Sequence, residues 1–311
     1  TDGLDELHPD FFQALKDNLF LVENEVDNFN FVSRRVSNLL QSESQYILTI
    51  NPTLDCNLRC WYCYQKHTKD HFMSKPLIDT VVKFAENIVK KKKVESFVLS
   101  FFGGEPLLLA NDIALPIAKS ISNKCELFKK KFKLHFTTNG TLLTSDILAQ
   151  IKLISNHVSF QIPFDGNREI HNKIKRSKDI DDTYSLTIKN ILDALKFGFH
   201  VTIRCNYDES NILSFIDLIN DIKAVCGDFM DLINFDFQKI WQAKRTLKLS
   251  EDLIRLNVIL QGKITMMKYL ELSCQKAFVT QTIKTLLLLT TMEIFISVLQ
   301  EIFLRRIQLE P

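Results

Sequence analysis

Three cysteines with short, unequal spacing are the residues of this chain that point most directly to chemistry. Cys56, Cys60 and Cys63 form a CxxxCxxC pattern directly after the apolar run at 46–50. Cubane iron–sulfur clusters are usually held by four cysteine thiolates, so a loop that supplies three leaves one iron open to a ligand from outside the protein. An open iron indicates chemistry at the cluster rather than electron storage. The spacing therefore predicts a catalytic iron–sulfur site.

Two simpler interpretations of the same cysteines stay open at this point. The three thiolates could hold zinc with His67 as the fourth ligand, or they could be buried apolar side chains, as free cysteines often are. Zinc loops usually carry paired CxxC elements, and this loop has a single one. The spacing favours the cluster over both alternatives.

The composition is that of an ordinary globular protein. With 311 residues, 46% of them hydrophobic and 24% charged, the chain can form one large α/β domain with terminal additions. A formal net charge of +2 predicts no nucleic-acid partner, and no membrane association is expected. Seven cysteines without a signal peptide favour a reducing cytoplasm. Four of these lack ligand spacing and are interpreted as structural: Cys125, Cys205, Cys226 and Cys274.

From residue 45 onward, apolar runs of strand length alternate with stretches of helical period. This alternation is typical of repeated βα units and a parallel sheet. Six strands are predicted, at 45–51, 96–102, 132–137, 157–163, 200–206 and 232–238. Six helices are predicted, near 75–93, 111–129, 144–153, 183–197, 211–226 and 250–261. Such a series closes or nearly closes into a barrel with its functional loops after the strands, which is where the cysteine loop lies.

Further polar groups follow the second, third and fourth predicted strands. Gly103 and Gly104 leave room for a ligand near the backbone because they lack a Cβ atom, and Glu105 can accept hydrogen bonds from an ammonium group. Asn139 begins an Asn-Gly turn. Asp165 precedes a glycine, so it is either a turn former or an acid–base group that faces a substrate.

The order of these motifs resembles that of radical S-adenosylmethionine (radical SAM) enzymes. That family also has an aromatic residue before its last cysteine, here Tyr62, and its GGEP motif is matched at Gly103 to Pro106. The resemblance implies a [4Fe-4S] cluster on the three cysteines, with S-adenosylmethionine bound to the open iron. In that family, reduction of the cluster cleaves the sulfonium to a 5′-deoxyadenosyl radical, which abstracts hydrogen from a substrate.

The resemblance also implies roles for individual side chains. It places Tyr62 near the adenine of the cofactor, and Gly103, Gly104 and Glu105 at the methionyl amine. Asn139 is a further candidate for contact with the cofactor. Asp165 is the candidate catalytic group of the chain.

Two more cofactor contacts are expected from the fourth and fifth strands, at Gln161 and Arg204. The SxDG segment of the family usually has a small hydroxyl residue where Pro163 stands in this chain. Gln161 is therefore expected to supply a substitute contact. Arg204 resembles the arginine of an RxN segment and, if buried, needs a partner, for which we expect Asp165 or Glu105.

The resemblance covers about residues 45–240, which are expected to form the partial (β/α)6 TIM-like barrel of the family. Residues 1–44 are predicted to be a cap, with a peptide-docking segment as the alternative. Residues 241–311 are predicted to be a helical addition. From Ala277 onward, an adjacent reading frame permits a string that resembles a SPASM domain, the cysteine-rich extension of many radical SAM enzymes. We therefore expect a truncated or frameshifted SPASM extension, which sequencing the gene would test, with an evolved helical tail as the alternative.

SPASM-type relatives modify peptides or proteins, so the sequence predicts an enzyme, a radical SAM maturase of a ribosomally made peptide or protein. An electron donor such as flavodoxin or ferredoxin is the expected partner. An anaerobic sulfatase-maturating enzyme, which oxidises cysteine or serine to formylglycine, is an alternative that these motifs do not separate. Alternatives of other classes are a noncatalytic remnant that keeps one cluster and a peptide-binding adaptor built on residues 1–44.

Overall fold

A computed structural model of the protein describes residues 44–244, 246–260 and 285–288, together with Pro9 and Gln13. The described strands are β1 (Gln45–Ile50), β2 (Ser96–Phe101), β3 (Lys131–Thr137), β4 (Val158–Phe164), β5 (His200–Tyr207), β6 (Ile233–Lys239) and β7 (Thr285–Leu288). The described α-helices are α1 (Lys75–Val89), α2 (Leu115–Leu127), α3 (Ser145–Ile154), α4 (Arg168–Ile174), α5 (Thr183–Lys196), α6 (Phe215–Cys226) and α7 (Leu247–Leu260).

These strands form one parallel sheet in the order β6-β5-β4-β3-β2-β1-β7. The sheet is open, because β6 and β7 are its two edges and do not pair with each other. The predicted α/β class and partial barrel are therefore confirmed. In a parallel sheet the loops that follow the strands all lie at the same end of the sheet, next to the carboxyl ends of the strands. The loop with the three cysteines follows β1 and therefore lies at this end.

The two faces of the sheet differ in chemistry. Every second residue of β2, β3 and β4 is buried and belongs to one hydrophobic cluster with the helices. Phe101, Phe136 and Phe160 are paired in register and stack across the three strands, with ring centroids 5.2 and 5.7 Å apart. Aromatic cross-strand pairs of this kind stabilise strand register. Half-buried polar residues such as Ser100 and His135 occupy the opposite face.

Each of the six predicted strands lies within one residue of its observed bounds. Helix ends were predicted less well. The helix predicted at 75–93 ends at Val89, before a run of four lysines, and the helix predicted at 111–129 begins at Leu115, after a π-helical turn. The seven-residue helix α4 was not predicted, because it is too short to show a helical period.

Two predicted regions lie almost wholly outside the described residues: the cap at 1–44 and the altered extension from Ala277. Within the extension only β7 is described, and it is a strand where helix was predicted. A short apolar run fits either element by periodicity alone. By its contacts the chain divides into units 1–43 and 44–311, and this fold is that of the second unit. Among the described helices, none combines the length and apolar character needed to cross a membrane.

The cysteine loop docks against the end of β2 through backbone contacts. The N–H of Gly104 donates to the carbonyl of Thr53 at 3.1 Å, and the N–H of Glu105 donates to the carbonyl of Asp55 at 2.8 Å. A Cβ atom on Gly104 would lie 2.0 Å from the carbonyl oxygen of Asp55. Gly103 has a φ of 110°, in the region that favours glycine. The paired glycines therefore let the chain's own loop approach, where a ligand was expected.

Replacing Gly104 by alanine is expected to destabilise the protein by about 1–3 kcal/mol, because the added methyl group overlaps the backbone of the cysteine loop. Urea unfolding of the apoprotein, followed by circular dichroism, measures the loss. Gly227→Ala is the matched control, since nothing lies within 4 Å of its Cβ position and its φ of −52° suits alanine. Equal stabilities of the two variants would contradict the close approach.

Candidate functional site

Cys56, Cys60 and Cys63 lie on one loop as partly exposed free thiols. The loop is shaped by local hydrogen bonds. The N–H of Leu58 donates to the Cys56 Sγ at 3.4 Å, and the N–H of Cys63 donates to the Cys60 carbonyl at 3.2 Å. The carboxylate of Asp55 accepts from the N–H of Cys56 at 2.8 Å. The backbone that carries the three thiols is therefore held in one conformation by hydrogen bonds within the loop.

Cys56 is also held from the turn that follows β3. The amide of Asn139 donates to Asn57 Oδ1 at 2.8 Å and to the Cys56 Sγ at 3.8 Å. Burial raises the pKa of the Cys56 thiol to about 12, and the N–H groups of Leu58 and Asn139 act in the opposite direction because they stabilise the thiolate. Asn139, predicted as a cofactor contact, is thus in place to position the first cysteine.

Glu105 is fully buried, and three donors occupy its carboxylate. The Thr138 hydroxyl donates at 2.7 Å, the Asn139 N–H at 2.7 Å and the Leu107 N–H at 3.0 Å. Burial raises the pKa of Glu105 to about 7, and these hydrogen bonds oppose the shift. The carboxylate has one acceptor position left beyond these three donors, but no part of the residue is exposed to solvent. The geometry therefore favours a structural role for Glu105, which joins the end of β2 to the end of β3.

A buried network lies behind the cysteine loop and consists of Tyr62, Asp165, Lys175 and Asn206. The Tyr62 hydroxyl donates to Asp165 at 2.6 Å and accepts from the Lys175 ammonium at 3.0 Å and the Asn206 amide at 3.1 Å. Lys175 and Asp165 form an ion pair at 3.3 Å, with side chains 3% and 0% exposed. The network ties the cysteine loop to the ends of β4, β5 and α4. It also favours a structural role for Asp165 over contact with a substrate.

The charge of Lys175 acts on the cysteine loop. Burial opposes that charge, but the coulombic effects of Asp165, Cys60 and Tyr62 outweigh burial, so the pKa of Lys175 lies well above its usual value. Burial also raises the pKa of the Cys60 thiol, while the charge of Lys175 lowers that pKa. A cation therefore stands beside one of the three candidate ligands.

The partner expected for Arg204 was wrong. Its Nε donates to Asn206 Oδ1 at 3.1 Å, while both carboxylates proposed as partners are engaged elsewhere. The reason lies in the register, because Arg204 stands opposite Pro163 within the sheet. Asp165 lies beyond the end of β4, where Lys175 reaches it.

Sequence reasoning missed Lys175, which lies in a basic stretch with no obvious single role. The available signal is spacing. His171 and Lys175 are four residues apart and both are buried, while Lys173 and Arg176 between and beside them are exposed. Residues four apart share one face of a helix. Two polar residues on the buried face directly after Asp165 would have identified the network.

The donor set fits a cubane cluster better than a single ion. In the described ranges, no three His, Cys, Asp or Glu side chains converge as ligands of one metal ion do. Zinc draws its four ligands to one centre, whereas a cubane takes each thiolate at a different iron, so thiols spread along one loop suit it. In the described residues His67 is not brought together with the three thiols at one centre, and both of its ring nitrogens are buried without a hydrogen-bond partner.

An open parallel sheet of βα units with a three-cysteine loop after its first strand defines the class of partial-barrel proteins that carry an iron–sulfur site. The Radical SAM superfamily matches residues 50–222. This match covers more than half of the chain, and the chain belongs to that superfamily. Its enzymes use a [4Fe-4S] cluster and S-adenosylmethionine.

Two curated relatives are similar over part of the chain. The radical SAM cyclopropyl synthase TigE of Paramaledivibacter caminithermalis is 27% identical over 225 residues, which are 63% of this chain and 47% of that protein. The cysteine-type anaerobic sulfatase-maturating enzyme of Clostridium novyi is 27% identical over 172 residues, 50% of this chain and 42% of that protein. The chain thus spans less than half the length of these relatives.

Solved structures share the fold. Native anSMEcpe with bound AdoMet matches with a TM-score of 0.53 and 19% identity, covering 72% of this chain and 64% of that one. Streptococcus suis SuiB bound to the precursor peptide SuiA matches with a TM-score of 0.50 and 18% identity, covering 84% and 60%. At these identities the likeness concerns the architecture, which is the partial barrel described above.

The buried carboxylate of Glu105 is expected to make stability depend on pH. Its pKa of about 7 in the folded protein lies above the ordinary 4.5. The folded state therefore binds the proton more tightly, and the stabilisation from this group is complete below about pH 4.5 and lost as the pH rises through about 7. One pKa unit corresponds to about 1.4 kcal/mol, so the loss amounts to about 3 kcal/mol at most.

Glu105→Gln removes this titration and isolates its effect. The unfolding free energy of the wild type minus that of the variant should decrease between about pH 5 and about pH 8, measured by urea unfolding. Glu126→Gln, at an exposed position on α2, is the control, and its difference from the wild type should stay constant. A constant difference for Glu105→Gln would refute the assigned titration.

Proposed function

We propose that residues 45–240 are the catalytic core of an enzyme that reductively cleaves S-adenosylmethionine at a [4Fe-4S] cluster and modifies a ribosomally made peptide or a protein. The observation that carries the proposal is the three-thiol loop, held by Asn139 on one side and by the buried network on the other. Membership of the superfamily supports the pair of cofactors. The activity of the whole protein is part of the proposal, because the chain spans less than half of its curated relatives.

Cys56, Cys60 and Cys63 are the proposed ligands. When bound, the cluster supplies the electron that breaks the sulfonium bond of S-adenosylmethionine. The contribution of the chain is to set the thiols in place, with Asn139 bonded to Cys56 and Lys175 beside Cys60. Ligating thiols must lose their protons, so these nitrogen donors favour the metal-bound form.

S-Adenosylmethionine is proposed to lie along the polar face of the sheet, beside the cysteine loop. Gln161 on β4 and Arg204 on β5 carry half-buried polar side chains on that face and remain the candidates for direct contact. The hydroxyl of Tyr62 is engaged in the buried network, so contact with adenine would use its ring. Glu105 acts through Asn139 in this proposal.

The proposal also includes the class of substrate and the electron donor. One curated relative is named for maturing a sulfatase, which supports a protein substrate. The SPASM-like string that an adjacent reading frame permits from Ala277 onward favours a peptide or protein as well. An electron donor such as flavodoxin or ferredoxin is required because the cluster must be reduced. A cytoplasmic location is proposed because free thiols persist in a reducing compartment.

Anaerobic reconstitution with iron and sulfide tests the proposed core. The wild type is expected to gain a [4Fe-4S] cluster whose electron paramagnetic resonance signal changes when S-adenosylmethionine is added. It is also expected to release 5′-deoxyadenosine under reducing conditions. Cys56→Ala, Cys60→Ala and Cys63→Ala should each reduce bound iron and 5′-deoxyadenosine to background, because each removes a ligand that the cluster requires.

Cys226→Ala is the control for cysteine loss in general. This thiol is fully buried on α6, so the variant should lose about 1 kcal/mol of stability and keep its cluster. Oxygen-free wild-type protein that never gains a cluster would overturn the proposal. Release of 5′-deoxyadenosine by all three loop variants would do the same.

A second candidate is the oxidation of a sulfatase cysteine or serine to formylglycine, favoured by the 27% identical Clostridium novyi relative. Incubation of the loaded wild type with peptides that contain a sulfatase cysteine or serine motif, followed by mass spectrometry, separates the candidates. Formylglycine in these peptides would support the second candidate. Modification only of a short precursor peptide encoded beside the gene would support the first.

A further inference from the structure

The outer side of the cysteine loop carries two exposed side chains that the proposed cluster site does not use. Arg59 and Trp61 flank Cys60 in the sequence. The side chain of Arg59 is 52% exposed, and Trp61 is 59% exposed. The Trp61 ring packs edge-on against the Tyr62 ring, with the ring centroids 5.6 Å apart. A cation and an anchored aromatic ring are therefore open to solvent next to a candidate ligand.

Two further cations come from α4 and the residues that follow it. The N–H of Arg59 donates to the carbonyl of Arg176 at 2.9 Å, so the backbone of the cysteine loop lies directly against this segment. The Arg176 Nε donates to the carbonyl of Lys173 at 3.0 Å, and both Arg176 and Lys173 are exposed. We call Arg59, Trp61, Lys173 and Arg176 the loop surface.

Most of the charge on the loop surface is unpaired. Arg59 faces Asp55 at 3.7 Å, which is near the upper limit of ion-pair distances. Among the residues that the structure describes, no carboxylate forms an ion pair with Lys173 or Arg176. These two cations are therefore available to an acidic partner, although the chain as a whole is nearly neutral, with a formal net charge of +2.

The position of the loop surface suits the delivery of electrons. The proposed site must receive an electron from another protein, and one side of the cysteine loop is already occupied by the end of β2 at Gly104. A carrier can bring its redox group close to the thiols from the side that solvent reaches, where Arg59 and Trp61 adjoin Cys60. Electron-transfer complexes have small interfaces, complementary charge speeds their formation, and tryptophan and arginine are the residue types that contribute strongly at interfaces.

We propose that the loop surface docks an acidic one-electron carrier protein. Arg59, Lys173 and Arg176 meet carboxylates of the carrier, and Trp61 meets the apolar rim around its redox group. The carrier loses one electron and is oxidised, the site on the three thiols gains that electron, and no bond forms or breaks. The inference rests on the proposed function and names the surface through which the same site receives its electron.

The test uses the full chain, reconstituted anaerobically with iron and sulfide, and a purified flavodoxin with an acidic surface as the probe. Lys173→Glu combined with Arg176→Glu reverses two charges of the loop surface and leaves the cysteine loop unchanged. Lys92→Glu combined with Lys131→Glu is the matched control. Both of these lysines are exposed and lie near the amino ends of β2 and β3, at the end of the sheet opposite the cysteine loop.

The main readout is the dissociation constant for oxidised flavodoxin, measured by isothermal titration calorimetry at several salt concentrations. The loop-surface variant should bind about tenfold more weakly at low salt, because charge reversal replaces attraction by repulsion. This difference should shrink as salt screens the charges, and the control should bind like the wild type. With reduced flavodoxin, the loop-surface variant should release 5′-deoxyadenosine more slowly than the wild type, whereas a small-molecule reductant should give equal rates.

The outcomes separate this inference from the proposed function. A wild type that gains no cluster overturns both. A loaded wild type that binds neither flavodoxin nor an acidic ferredoxin overturns the docking surface alone, and so do equal dissociation constants for the two double variants or a difference that salt does not change.

A poly-glutamate peptide tests the other kind of acidic partner, a peptide substrate. If it binds the wild type as tightly as flavodoxin does and displaces it, the surface is a peptide site and the inference fails. Circular dichroism reports the folding of each variant. If the loop-surface double variant does not fold, Lys173→Glu alone decides the question, with an expected loss of binding of about threefold at low salt.

Discussion

The site depends on one backbone contact, between the start of the cysteine loop and the end of β2. A loop without regular secondary structure can present three thiols in a defined way only if something holds its backbone. Here Gly104 brings the end of β2 so close to Asp55 that no side chain would fit between them, and two N–H groups bond across the contact. These contacts hold the backbone of the loop in a fixed position relative to the sheet.

Around that contact, two sets of side chains fix individual cysteines. Glu105 accepts hydrogen bonds from the Thr138 hydroxyl and the Asn139 N–H at the end of β3. The side-chain amide of Asn139 in turn donates to the Cys56 Sγ. On the other side, Lys175 and Asp165 meet at Tyr62. Burial of these charged groups is costly unless each has a partner, so removing one member disturbs the others. These interlinked contacts favour a cysteine loop whose conformation is already formed before any cofactor binds.

The strands could be predicted closely because each combines an apolar run with period-two burial, as in β4. The cysteine triplet could be found because ligand chemistry is visible in residue type and spacing. The partners of Arg204 and Asp165 could not be predicted from the sequence. A sequence pattern does not show that Arg204 pairs with Pro163 within the sheet, whereas Asp165 lies just beyond the end of β4 and contacts Lys175. The missing Cβ of Gly104 was visible in the sequence, but its contact with the backbone of Asp55 was not, because sequence does not show what fills the space.

The row of stacked phenylalanines across β2, β3 and β4 lies on one face of the sheet. Strand alignment and the display of polar side chains therefore fall on opposite faces. Strand alignment is secured on one side, by Phe101, Phe136 and Phe160, and a slip by one residue would turn all of them away from the helices. Polar positions on the opposite side are therefore free to diverge without misaligning the strands. A scaffold divided in this way can acquire new specificities through substitution of its polar side alone.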